Sequence, residues 1–299
     1  MDKKQFTKEL MNQLDERIAE RNLQKKLLFI KVQKINRTLD AIIIEDKEHL
    51  TTSAYPTWYV DNMYDMFRSG KSIEFITDCM LDPDISLSPE SITNFSDYGK
   101  VKDFLVPVLV DTNLNKQLLE RYPHRQFLNL SVLYKASIPT NNNKDEDERY
   151  YTIISNDLAK ALNVTEETLC KDAMNNLQNT EFVFNNISQI IKPYHGIDLP
   201  EDNMVPMWVL SFPNLRDGSS LLLSDNALKE AYNKIGCDFI IIPSSSDELL
   251  LIRKDSDTDI FRLLDLVGEM NKTLPPEILL TQALYTYDGS EVSLLAVGE

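Results

Sequence analysis

Glycine is scarce in this chain, with 8 residues in 299. So few glycines argue against a glycine-rich loop that cradles nucleotide phosphates, and against a β-rich fold with many tight positive-φ turns. The sequence contains no Walker A, GxGxxG or GxSxG pattern. It therefore has none of the short signatures that identify nucleotide-binding proteins or serine hydrolases of the α/β type.

Cysteine is also sparse, and the spacing of the cysteines bears on whether they could form disulfides or a zinc site. The three cysteines are far apart and form no CxxC pair (Cys79, Cys170 and Cys237). An odd number of separated cysteines predicts neither a disulfide framework nor a zinc site, and indicates a reducing compartment.

The three histidines are His49, His124 and His195, and they lack the HExxH or HxH spacing of metal-binding motifs. Two of them could meet in space beside carboxylates, but no spacing supports such a site. We therefore predict no metal, no cofactor and no catalytic residue.

Long apolar runs are also missing. No run approaches the roughly 20 apolar residues that span a bilayer. The first 26 residues carry charges every few positions and contain no apolar core of a secretory signal. We expect a cytoplasmic protein with no membrane partner.

Basic residues are outnumbered, 31 against 47 acidic residues, which gives a net charge of −16. Such a surface repels nucleic-acid phosphates, so we expect no direct nucleic-acid binding. The charge is typical of a well-solvated surface. The alternative is an acidic mimic that presents ordered carboxylates to a DNA-binding protein.

The apolar pattern of the first part of the chain predicts an α-β-β-β-α order. Phe6, Leu10, Leu14 and Ile18 recur every four residues and predict a helix that packs on a core. Further elements are two antiparallel strands (27–35 and 39–46), a third strand (49–55) and a helix (57–81) that Gly70 interrupts. We place a first lobe at residues 1–95, ending in the Ser- and Pro-rich stretch 82–98, where Ser88 and Pro89 resemble a helix start.

Patterns after this boundary predict a second lobe at residues 96–190, a linker at 191–206 and a third lobe at 207–299. The second lobe holds strands at 104–112, 127–138 and 149–156, a helix at 163–177 capped by Thr165, and a helix near 181–191. The third holds strands at 207–212 and 220–224, a hairpin at 238–254, a helix at 257–272, and a last helix and strand pair at 275–297. The fold class is α+β, with antiparallel or mixed sheets, helices packed on one face, and two or three lobes.

The stretch DFIIIPSSSDELLLIRK predicts a hairpin whose turn is rich in serine. Ser and Asp side chains can satisfy the backbone N–H groups of a turn, which favours a structural role. The same residues are the best candidate for an exposed loop that contacts a ligand or partner: Pro243, Ser244, Ser245, Asp247 and Glu248.

Several stretches resemble an uncharacterised family of gut Clostridia and related Firmicutes that is catalogued only as a domain of unknown function. They are YVDNMYDMFRSGKSIEFI (59–76), FLNLSVLYKASI (127–138), NVTEETLCKDAMNNL (163–177), GCDFIIIPSSSDELLLI (236–252) and MNKTLPPEILLTQALYTYD (270–288). The resemblance spans nearly the whole chain and implies a bacterial α+β protein with no established activity. Family members often have a histidine just before the glutamate of the hairpin, where this chain has Asp247.

The functional hypothesis that follows is a non-enzymatic binding module whose partner is a protein or a small molecule. The alternative of a different class is a hydrolase whose site is assembled from distant residues, with Ser244, Ser245 and Glu248 as the first candidates. The acidic nucleic-acid mimic is the third hypothesis.

Overall fold

The computed structural model describes residues 1–46, 57–82, 97–139, 149–187, 207–255 and 257–298. The chain divides into two compact units, Met1–Ser88 and Pro89–Glu299. The predicted strand at 49–55, most of the stretch 82–98 and the linker 191–206 lie outside the described residues. The division into three lobes stays a prediction.

The first unit is a three-stranded antiparallel sheet with helices on it. Its elements are α1 (Lys3–Glu20), β1 (Lys25–Lys34), β2 (Arg37–Asp46), β3 (Thr57–Tyr59), α2 (Val60–Arg68) and α3 (Ile73–Leu81). The strand order is β1-β2-β3. The apolar stripe predicted for the first helix is confirmed, because Phe6, Leu10, Leu14 and Ile18 are all buried.

Local signals set the ends of these elements. The Asp2 carboxylate accepts the Gln5 N–H, and the Gln5 side chain accepts the Asp2 N–H, so α1 begins with a capping box. Asn36 takes a left-handed conformation, with φ 59°, in the turn between β1 and β2. Gly70 has φ 97° just after α2, and this confirms the predicted interruption of the helix.

The second unit contains two antiparallel sheets. Strand β6 (Leu130–Pro139) pairs with β4 (Leu105–Asp111), β5 (Arg125–Phe127) and β7 (Arg149–Ile153). The other sheet has the order β13-β12-β10-β11-β9-β8. Its strands are β8 (Val183–Asn186), β9 (Met207–Ser211), β10 (Phe239–Pro243), β11 (Glu248–Arg253), β12 (Ala283–Tyr287) and β13 (Val292–Val297). The predicted α+β class with antiparallel sheets is confirmed.

The longer helices of this unit are α4 (Asn156–Ala161), α5 (Glu166–Gln178), α6 (Asp225–Ile235) and α7 (Ile260–Asn271), and two four-residue helices, Tyr98–Val101 and Lys116–Leu119, precede them. Thr165 accepts the Thr168 N–H at the start of α5, as predicted. One core cluster contains buried residues of both sheets and of the helices between them, among them Tyr134, Phe239 and Tyr285. Among the described residues, no helix combines the length and the apolar character that a bilayer crossing requires.

Three predicted elements are wrong in whole or in part. Residues 220–223 are not a strand, because they lie in the 3-10 turn Gly218–Leu223, and Ser224 is the cap of α6. Of the helix predicted near 181–191, residues 183–186 are instead strand β8, whose Val183 and Phe184 pair with β9, and residues 188–191 lie outside the described residues. The helix predicted after residue 275 is the single 3-10 turn Pro276–Ile278. In each case a short apolar run had no periodicity to decide its type.

Candidate functional site

The serine-rich turn, residues 243–248, joins β10 to β11 and is tied together by its own side chains. The Ser244 hydroxyl donates to Glu248 Oε1 at 2.8 Å. Ser245 Oγ accepts the N–H of Asp247 at 3.0 Å, and the Ser246 hydroxyl donates to Asp247 Oδ1 at 3.3 Å. The register Pro243↔Leu249 confirms the predicted hairpin.

Neighbouring segments hold the same turn from outside. The Ser211 hydroxyl donates to the Asp247 carbonyl at 2.8 Å, and the Asp217 N–H donates to Asp247 Oδ1 at 3.0 Å. The N–H of Ser246 donates to the Ile278 carbonyl at 2.7 Å. The turn is therefore bonded to the end of β9 and to the two 3-10 turns Gly218–Leu223 and Pro276–Ile278.

Gly218 lies against this turn so closely that no larger residue fits. A Cβ atom there would be 2.3 Å from the Asp247 carbonyl oxygen and 2.7 Å from Ser211 Oγ. Asp217, just before it, has φ 56° and forms an ion pair with Lys135 of β6. This pair fixes the 3-10 turn that supports residues 243–248.

Ser244 and Ser245 are 4% and 8% exposed, so the expectation of an exposed loop is wrong for these two residues. Contacts with Ser211, Gly218 and Ile278 cover the turn and bury these two serines. Asp247 and Glu248 are half-buried. Whether the turn binds a ligand or partner stays a prediction, as does the hydrolase that would use Ser244, Ser245 and Glu248.

A groove in another part of the same unit has a different character. We call it the His124 groove; its volume is about 540 Å³ and it lies between the loop before β5, helix α4 and the start of α5. The residues that line it are Leu119, Glu120, Tyr122, Pro123, His124, Asn156, Ala159, Lys160, Val164 and Glu166. Asn156 joins the two walls, because its N–H donates to the Arg121 carbonyl and its Nδ2 donates to the Glu120 carbonyl.

Glu166, at the edge of the groove, is held through both carboxylate oxygens. The buried Tyr134 hydroxyl donates to Oε1, and the Arg125 guanidinium donates to Oε2 at 2.9 Å. Burial, together with the Glu166 carboxylate, raises the pKa of Tyr134 far above its ordinary value, so the phenol stays protonated. Glu166 is also the first residue of α5, where a negative charge faces the positive end of the helix dipole.

His124 and Lys160 are exposed at the groove wall. His124 Nδ1 lies 2.9 Å from the Tyr122 carbonyl oxygen, which orients the ring and makes Nδ1 the donor of that bond. Within the described ranges, neither side chain is paired with a carboxylate. The groove thus presents the Lys160 ammonium and the Nε2 edge of the His124 ring beside apolar lining from Leu119, Pro123 and Val164.

The sequence shows no sign of this arrangement, because the residues come from separate elements. Tyr134 is on β6, Arg125 on β5 and Glu166 on α5. His124 lies in the loop before β5, and its sequence spacing gave no sign of a site. In the ranges that the structure describes, no group of three His, Cys, Asp or Glu side chains could hold a metal ion.

Comparison with known proteins gives a single assignment. No curated protein and no solved structure matches this chain. One family model matches residues 3–289 and carries the description "Family of unknown function (DUF5688)". Since this match covers nearly the full length, the chain belongs to the family of unknown function DUF5688.

Proposed function

We propose that this protein is a non-enzymatic binding protein of the bacterial cytoplasm, and that its ligand is a small organic anion with an apolar body. The observation that carries the proposal is the pair Lys160 and His124 at the wall of the His124 groove, next to apolar lining and with no carboxylate partner among the described residues. Ligand sites combine apolar lining with a few polar groups that fix orientation, and this groove has that composition.

The two nitrogen groups suit a carboxylate or phosphate. The Lys160 ammonium provides three donors and a positive charge. A protonated imidazole donates from both ring nitrogens, so His124 can hold the Tyr122 carbonyl with Nδ1 and a ligand oxygen with Nε2. Leu119, Pro123 and Val164 then contact the apolar part of the ligand.

Glu166 repels an anion in this groove less strongly than an unpaired carboxylate would. Its oxygens already accept bonds from Tyr134 and Arg125, and the Arg125 guanidinium offsets its charge. Glu120 is exposed, so solvent screens its charge. With Glu166 paired to Arg125, the Lys160 ammonium shares the groove with one solvent-screened carboxylate, although the whole chain carries −16.

The test is calorimetric titration of the full chain with hexanoate and benzoate, each compared with its neutral amide. We expect the carboxylates to bind with a Kd on the order of 1 mM, as suits probes of about ten non-hydrogen atoms, and the amides to bind at least tenfold more weakly. Proton NMR after incubation should recover both carboxylates unchanged.

Lys160→Glu should abolish carboxylate binding, and His124→Ala should weaken it. Lys171→Glu is the matched control, because Lys171 is exposed on α5 and does not line the groove. It should leave the affinity within twofold of the unmodified chain. Equal binding of acids and amides, or equal loss in Lys160→Glu and Lys171→Glu, would show that the groove is not an anion site.

A further inference from the structure

Among the described residues, strand β1 is an edge strand of the three-stranded sheet, since it pairs with β2 on one side and the order is β1-β2-β3. The two-residue turn after Lys34 makes Lys34 and Arg37 a hydrogen-bonded pair, and pairs of this kind alternate along an antiparallel ladder. The backbone groups of Lys25, Leu27, Phe29 and Lys31 therefore point away from β2. Backbone groups of an edge strand are a template for another extended chain.

The side chains of β1 divide into two faces of different composition. Leu28, Ile30 and Val32 lie on one face, and Leu28 is 37% exposed. Phe29 and Lys31 lie on the opposite face, and Phe29 is 47% exposed. A strand added at this edge would meet an apolar surface on one side.

On the other side it would meet a second groove. We call it the α1–β1 groove; its volume is about 520 Å³ and its lining residues are Lys3, Lys4, Thr7, Lys8, Met11, Phe29 and Asp40. Lys3 pairs with Asp61, and Asp40 pairs with Lys31. Lys4 and Lys8 are exposed, lie one turn apart on α1, and have no acidic partner among the described residues. This side of the edge is therefore cationic.

The segment that contains α1 and β1 is basic, whereas the rest of the chain is acidic. Residues 1–37 contain ten basic and five acidic residues, a balance of +5. The remaining residues contain 21 basic and 42 acidic residues, a balance of −21. A second copy of β1 is a poor occupant of the edge, because full antiparallel pairing of two such strands brings Lys25 opposite Lys34 and Lys31 opposite Leu28.

We propose that the β1 edge binds an extended acidic peptide segment of a partner protein by strand addition. Alternate side chains of that segment are acidic and lie over Lys4 and Lys8, and the others are apolar and lie beside Leu28 and Ile30. This surface belongs to the first unit and is independent of the His124 groove.

The test is fluorescence anisotropy of the full chain with a fluorescein-labelled nonapeptide in which Glu and Val alternate. A peptide with the same five Glu and four Val in two blocks has equal charge but cannot place its acids on one face. We expect the alternating peptide to bind at least tenfold more tightly than the block peptide. Two further peptides are N-methylated, one at its Glu amides and the other at its Val amides. Since only every second amide of an added strand faces β1, one of these peptides should lose binding and the other should keep it.

Lys4→Glu/Lys8→Glu should weaken binding of the alternating peptide at least tenfold. Lys171→Glu/Lys229→Glu changes the net charge equally at exposed positions of α5 and α6, and should change the affinity less than threefold. Circular dichroism confirms that each variant is folded. The proposal fails if the two peptides bind alike, if both double variants lose binding equally, if neither N-methylated peptide differs from the parent, or if single-stranded DNA binds more tightly than the alternating peptide.

Discussion

The serine-rich turn and the His124 groove use polar side chains in opposite ways. In the turn, the Ser244 hydroxyl donates to Glu248 and Ser245 Oγ accepts the Asp247 N–H. Both serines are buried. In the groove, His124 and Lys160 are exposed, and neither pairs with a carboxylate among the described residues.

A conspicuous cluster of hydroxyls need not be a reactive one. A buried turn must satisfy its N–H and C=O groups, and Ser and Asp are suited to that purpose. Ligand binding instead needs donors that the fold leaves available. Substitutions in the turn and in the groove test this contrast, and those in the turn should cost more stability.

Gly218→Ala should be the most damaging change in the turn. The added methyl group would overlap the Asp247 carbonyl oxygen and Ser211 Oγ, both held by the hydrogen bond between them. We expect the free energy of unfolding to fall by about 2–3 kcal/mol in a urea titration, as for overpacked cores.

Gly268→Ala is the control for this measurement. Its methyl group would meet only the end of the Gln282 side chain, which can move, and alanine favours the helix α7. The free energy of unfolding should change by less than about 0.5 kcal/mol. Equal losses in the two variants would contradict the tight packing around Gly218.

Ser244→Ala tests whether the turn is structural. It removes a buried hydroxyl that donates to the Glu248 carboxylate, so we expect a loss of about 1–2 kcal/mol in the free energy of unfolding. Ser246→Ala is the matched control, because its hydroxyl bond is longer, at 3.3 Å, and its loss should be under about 0.5 kcal/mol. Unchanged stability in Ser244→Ala would reopen a role for this serine in binding or catalysis.

His124→Ala/Lys160→Ala should have the smallest effect on folding. Both side chains are exposed, and the only bond lost within the described structure is the one between His124 and the Tyr122 carbonyl. We expect the free energy of unfolding to change by less than about 0.5 kcal/mol in the same titration. A larger loss in the free energy of unfolding would mean that His124 and Lys160 support the fold. The groove would then not differ from the turn in this respect.

Elements with a clear period or a clear stop signal were predictable from sequence. The four-residue spacing of Phe6, Leu10, Leu14 and Ile18 predicted α1, and Thr165 predicted the start of α5. The hairpin around Pro243 was predictable because two β-rich runs flank turn residues. Residues 183–186 and 220–224 were misassigned because a short apolar run is compatible with several structures.

The α+β class, the main helices and hairpins, and the acidic charge follow from periodicity and composition, which are local properties of the chain. The burial of Ser244 and Ser245 arises in the folded protein, since it depends on contacts with Ser211, Gly218 and Ile278. No local pattern contains these contacts, and the three-dimensional fold supplies them. It also brought Tyr134, Arg125 and Glu166 together beside His124. These contacts join residues from different strands and helices, and no local pattern encodes which distant side chains the packing of a core will place side by side.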